Sequence, residues 1–177
     1  MRQRIFISLG IAMVALVASA VALAGTLTTT ATVTGAAGMS LSVPATATIS
    51  DTLDGTDQTA TYAPLLAVVD ARGSGAGWNL TVSATSFTDS GSHTLAPGTI
   101  TGVSQICHAG ATCTAPTSSG ITYPLSVSGT AAKFFSAALN TGLGKFDVTP
   151  TFSVAIPGNA YAGTYTSTVT LATVTGP

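Results

Sequence analysis

From Trp78 to Thr85 the side chains alternate without interruption, with Trp78, Leu80, Val82 and Ala84 on one side and Asn79, Thr81, Ser83 and Thr85 on the other. A period of two is the mark of a strand with one buried and one wet face, because successive side chains of an extended chain point to opposite sides. The pattern returns in Phe152, Val154 and Ile156 against Thr151, Ser153 and Ala155, and in Tyr165, Val169 and Leu171 against Thr166, Thr168 and Thr170. Three such segments in one chain share a core.

The remaining composition agrees. The chain contains 32 Thr among its 177 residues, and Thr and Val, stiff at the first side-chain torsion, suit a pleated surface. Gly, Asn, Asp and Pro punctuate the sequence at intervals of about 8 to 12 residues, the spacing of short strands joined by turns. Strands are expected over 26–34, 39–49, 62–69, 77–85, 121–128, 147–156 and 164–174. The expected fold is all-β, an immunoglobulin-like β-sandwich of about seven to nine antiparallel strands. One exception is expected at Ala131–Leu139, where an Ala-rich stretch followed by Asn140-Thr141-Gly142 predicts one or two helical turns in a connection, with Phe134 or Phe135 packed inward.

The start of the chain has a separate purpose. Met1-Arg2-Gln3-Arg4 is basic, Ile5 to Ala24 is uncharged and apolar, and Ala22-Leu23-Ala24 offers the small residues that a signal peptidase requires, with Ala18-Ser19-Ala20 as a second site. The expected organisation is a signal peptide over 1–24 and a single secreted domain over 25–177. An uncleaved anchor is the alternative, since about 20 apolar residues can cross a bilayer. No Cys follows the apolar run to carry a lipid, and the mature chain is expected to be free of the membrane.

Charge narrows the function. Beyond position 4 the cations are Arg72, Lys133 and Lys145, too few to neutralise a run of phosphates, so no nucleic-acid partner is expected. The acids are six Asp with no Glu, and His93 and His108 are the only imidazoles, which leaves few groups for acid/base or metal chemistry; the chain is read as non-catalytic. No Ser sits in a Gly-x-Ser-x-Gly elbow, and Gly142-Leu143-Gly144-Lys145-Phe146 lacks the hydroxyl residue after Lys of a phosphate loop. His93 falls in the turn-like Asp89-Ser90-Gly91-Ser92-His93 and reads as solvated. Cys107 and Cys113 flank a short Gly-containing loop in an exported chain and predict a local disulfide, since five intervening residues suit neither a redox pair nor a four-ligand zinc set. Asp51, Asp54 and Asp57 lie close together around Gly55; they are the one candidate metal site, for calcium, and otherwise a polar loop. No other cofactor is expected.

The stretch Val69-Asp70-Ala71-Arg72-Gly73-Ser74-Gly75-Ala76-Gly77-Trp78-Asn79-Leu80-Thr81-Val82 carries the most specific pattern, Asp-x-Arg-Gly-x-Gly-x-Gly-Trp-x-Leu-x-Val. It resembles the first signature of the WxL domain, a surface module of Gram-positive bacteria, and Ile156 to Thr170 is similar to the family's last strand. The family's second Trp-x-Leu falls here on Leu171-Ala172-Thr173, so that Trp is absent. The resemblance implies a secreted β-sandwich, located at the cell surface or cell wall, that associates non-covalently with peptidoglycan or with other surface proteins.

Read physically, the signature has two outcomes. In one, Asp70 and Arg72 pair, Gly73, Gly75 and Gly77 shape a loop, Trp78 plugs the core and Leu80 follows it inward. In the other, Trp78 is exposed and stacks on a sugar, with Asn79 and Arg72 as hydrogen-bond partners. A second class of function is self-assembly. Residues 25–34 form an uncharged alternating segment, with Leu27, Thr29, Ala31 and Val33 on one face, which could complete the sheet of another copy and build an extracellular filament.

Overall fold

The computed structural model describes residues 29–177. Within it, Val33–Pro177 forms a compact unit, and the signal peptide expected over 1–24 lies outside the described residues. The strands are β1 (Met39–Ser42), β2 (Gln58–Tyr62), β3 (Leu66–Asp70), β4 (Trp78–Ala84), β5 (Phe87–Thr88), β6 (Thr94–Leu95), β7 (Thr99–Cys107), β8 (Leu125–Ser126), β9 (Ala132–Ala137), β10 (Gly144–Ile156) and β11 (Val169–Thr175).

Pairing is antiparallel throughout these strands. The larger sheet runs β1-β3-β10-β7-β8, with β2 also on β10, and the smaller runs β11-β4-β9. β10, at 13 residues the longest strand, organises the larger sheet. Its first half pairs with β3 (Val148↔Leu66) and its second half with β2 (Phe152↔Tyr62), while β7 lies along its other edge. The expected strand over 62–69 is therefore two strands, broken around Pro64, which has no N–H to give to a ladder.

The two sheets face each other across one core. Leu66, Val68, Ile100, Phe146, Val148 and Phe152 come from the larger sheet and Trp78, Leu80, Val82, Phe135 and Ala137 from the smaller. Every second residue of β4 is buried from Trp78 to Ala84, as the alternation requires. Full burial of each large apolar side chain contributes about 2 kcal/mol, and the result is the all-β sandwich.

Residues 131–139 depart from expectation. They hold no helix: Ala132–Ala137 is β9, paired with β4 from Trp78↔Ala137 to Val82↔Ala132, with a bulge at Leu80/Thr81. The open edge of β4 offers backbone partners, and the bulge lets consecutive Phe134 and Phe135 both be buried, which outweighs the modest helix preference of Ala. Phe135 packs on Trp78 with ring centroids 5.9 Å apart. β7 has no counterpart among the expected strands, and β1 ends before Val43-Pro44 instead of continuing to 49. At the N-terminal end, Thr29 to Thr34 belong to no strand, and 26–28 fall outside the described residues.

Candidate functional site

The signature is built at the start of β4. Asp70, the last residue of β3, sits between Met39 of β1 and Gly144 of β10 and is almost wholly buried. Its carboxylate is held by a fork: Arg72 Nε donates to Oδ1 and Nη2 to Oδ2, both at 2.9 Å, and the Arg72 backbone N–H donates to Oδ1 at 3.2 Å. The side-chain bonds from Arg72 hold the Asp70 pKa below the ordinary carboxylate value, against the upward push of burial. Arg72 Nη2 also donates to the Gly77 carbonyl at 2.9 Å, so the same guanidinium closes the Gly loop.

Trp78 is completely buried, and its indole Nε1 donates to the Gly142 carbonyl at 2.9 Å. Gly142 has φ +69°, and a Cβ there would lie 2.6 Å from that Nε1, so only glycine fits. Asn79 Nδ2 donates to the Gly176 carbonyl at 2.9 Å, just beyond β11. The reading of Trp78, Asn79 and Arg72 as a sugar-binding face is thereby corrected. The ring has no free face, because the sheets need an aromatic plug there, and the polar partners are engaged within the fold. Asp70, Arg72, Gly73, Gly75, Gly77, Trp78 and Leu80 form the end of the sandwich.

The disulfide Cys107–Cys113 is formed and braces the same end. Its loop is tied down by Thr114 N–H to Leu143 O and Gly142 N–H to Thr114 O, both at 2.8 Å, and by His108 Nδ1 to Asp147 Oδ1 at 2.8 Å. The three acids of the candidate calcium loop are not brought together. Asp51 Oδ1 accepts from Thr52 N–H, Asp54 Oδ1 from both the N–H and hydroxyl of Thr56, and Asp57 Oδ1 from Gly158 N–H. Among the described residues no three His, Cys, Asp or Glu side chains form a metal-ligating cluster. Of the expected assembly strand, Leu27 lies outside the described residues, and Thr29, Ala31 and Val33 are exposed.

At the other end of β4 the chain enters the β5–β6 hairpin, and here the surface is concave. Segments 43–53 and 160–171 run beside it, enclosing a cavity of about 630 Å³ walled by Ile49, Leu53, Phe87, Tyr161 and Tyr165. A second cavity of about 430 Å³, sharing Ile49, Phe87, Thr164 and Tyr165, continues it past Tyr62 and Leu171. The mouth is ordered by a chain of contacts. Asp89 accepts from the N–H groups of Gly91 and His93, at 2.9 and 2.8 Å, and its Oδ2 lies 2.8 Å from His93 Nδ1. The His93 side chain, aided by the backbone bonds, holds the Asp89 pKa below its ordinary value. The His93 ring stacks on Tyr161 at 3.8 Å, and Tyr165 Oη donates to the Tyr161 carbonyl at 2.9 Å. This cluster is absent from the sequence-based site residues. Its traces are Asp89 and His93 four apart around a Gly turn and Tyr161 and Tyr165 four apart, but nothing in the sequence joins the two pairs.

With the geometry in place, the comparison with family models is decisive: residues 29–172 match the WxL domain, described as a surface cell wall-binding domain. The chain belongs to the WxL family. No curated protein matches it. Its location is accordingly the cell surface, in association with the wall. In this WxL protein, Trp78-Asn79-Leu80 opens β4, and Leu171-Ala172-Thr173, where the resemblance puts the second signature, lies alongside it in β11 (Leu171↔Val82, Thr173↔Leu80). The two signature positions are thus neighbouring strands of the smaller sheet.

Proposed function

We propose that this WxL protein is a non-catalytic surface protein that associates non-covalently with peptidoglycan. The observation that carries the reading is the open groove formed by segments 43–53 and 160–171, concave and lined by aromatic and hydroxyl side chains, on a chain whose family is wall-binding. Grooves of several hundred Å³ with mostly apolar walls and a few polar groups are the usual form of a ligand site. The test is co-sedimentation of residues 25–177, which contain the whole compact unit, with isolated cell-wall sacculi. Pelleting that depends on sacculi is expected, and a protein left in the supernatant at every sacculus load overturns the reading.

A second reading, assembly into an extracellular filament, rests on β11. This strand ends the smaller sheet, pairs there with β4, carries no charge over its seven residues and leaves Val174 46% exposed. Uncharged edge strands accept added strands readily, and residues 25–34 of another copy would be the donor. Pelleting without sacculi is the result this reading predicts.

A further inference from the structure

Tyr161 is 64% exposed, yet its ring is stacked on a neighbour. Its inner face lies on the His93 imidazole at 3.8 Å and 16°, and its carbonyl accepts from Tyr165. His93 is fixed through Asp89, whose side chain closes the Ser90–Ser92 turn. The hairpin carrying this turn is tied to the opposite wall by paired N–H to O bonds between Thr88 and Thr166 at 2.9 Å. Gly163 permits the approach, since a Cβ there would stand 3.3 Å from Asp89 Oδ2. None of this buries Tyr161. The contacts stiffen one aromatic ring and leave its outer face to solvent at the mouth of the groove.

From this geometry we infer that Tyr161, backed by His93 and Asp89, is a sugar-stacking subsite for the glycan strand of peptidoglycan. A pre-ordered aromatic face binds the C–H face of a sugar ring with little ordering cost. Charge selects among wall polymers. The groove is lined by Asp51, Asp89 stands beside its wall residue Gly163, and among the described residues no Lys or Arg lines it. Phosphate-bearing polymers are repelled there, whereas an uncharged chain of N-acetylated sugars brings hydroxyl and amide N–H donors to carboxylate and threonine acceptors. The run of two cavities through Ile49, Phe87, Thr164 and Tyr165 suits a linear polymer.

The inference rests on the wall-binding reading, and one experiment separates their failures. Residues 25–177 are spun with sacculi stripped of anionic polymers, as wild type, Tyr161→Ala and Tyr161→Trp, with and without a soluble β-1,4-linked N-acetylglucosamine hexamer. Expected are pelleting of the wild type, competition by the hexamer, an affinity loss of about tenfold or more in Tyr161→Ala, and retention in Tyr161→Trp. Hexamer-induced NMR shifts in the wild type, centred on His93 and Tyr161, give the same answer without any variant. Equal pelleting of wild type and folded Tyr161→Ala, or shifts centred elsewhere, overturns the subsite and leaves wall binding standing. Pelleting only with sacculi that keep their anionic polymers overturns the sugar as occupant. No pelleting of the wild type with either preparation overturns both.

Discussion

The two ends of β4 carry similar parts in opposite roles. At one end Asp70 and Arg72, two residues apart, pair beside a Gly-rich loop and an aromatic ring; at the other Asp89 and His93, four apart, pair across a Gly turn beside an aromatic ring. At the first end the acid and the ring are sealed inside, with Asp70 1% and Trp78 0% exposed; at the second Tyr161 stands 64% exposed. A buried pair must satisfy every donor internally, since an unpaired charge in the interior is expensive. The Asp89–His93 pair is half-buried and reaches solvent through its imidazole, 38% exposed against 8% for the Asp89 side chain, and its effect is to order a surface. In this account the signature maintains the sandwich and the far end meets the wall.

Substitutions at the two ends should therefore separate stability from binding. The largest loss is expected for Trp78→Ala, about 4 kcal/mol by denaturant unfolding, because the cavity opens between the sheets and the Gly142 carbonyl loses its donor. Asp70→Asn should cost about 3 kcal/mol, since it leaves the Arg72 guanidinium largely buried without its counter-charge. Gly142→Ala should cost about 2 kcal/mol through its positive φ and the crowding of Trp78. Tyr161→Ala should change unfolding by less than about 0.5 kcal/mol, as an exposed surface side chain does, while lowering retention on sacculi. A loss of stability at Tyr161 equal to that at Asp70 would abolish the contrast.

Acid sharpens it further. The folded-state pKa of Asp70 is depressed, so its contribution is fully present above the ordinary Asp value of 3.8 and is lost as pH falls below that toward the folded value. Acid unfolding curves should show wild type losing stability over this range and Asp70→Asn, already without the contribution, losing less.

The sequence made the signature end legible because its logic is local. Asp70 and Arg72 meet over two residues, the glycines announce the loop, and alternation from Trp78 onward states which side faces in. The disulfide was legible for the same reason. β9 was not, because its strand state depends on the open edge of β4 and on a bulge that admits both Phe134 and Phe135, neither of which Ala content can report. β7 was missed because only Ile100 among its nine residues is fully buried, leaving no apolar rhythm. The exposed aromatic platform was hidden for a further reason: His93 and Tyr161 are remote in sequence and meet only because the β5–β6 hairpin bonds to the segment before β11.

The most direct test of this division is sacculus retention of Tyr161→Ala beside Trp78→Phe, each measured well below its own unfolding midpoint. Trp78→Phe, though less stable, is expected to pellet with the wall like the wild type, and Tyr161→Ala, though as stable as the wild type, to remain in the supernatant. Retention of Tyr161→Ala together with loss in folded Trp78→Phe would contradict it, and would return wall binding to the signature end.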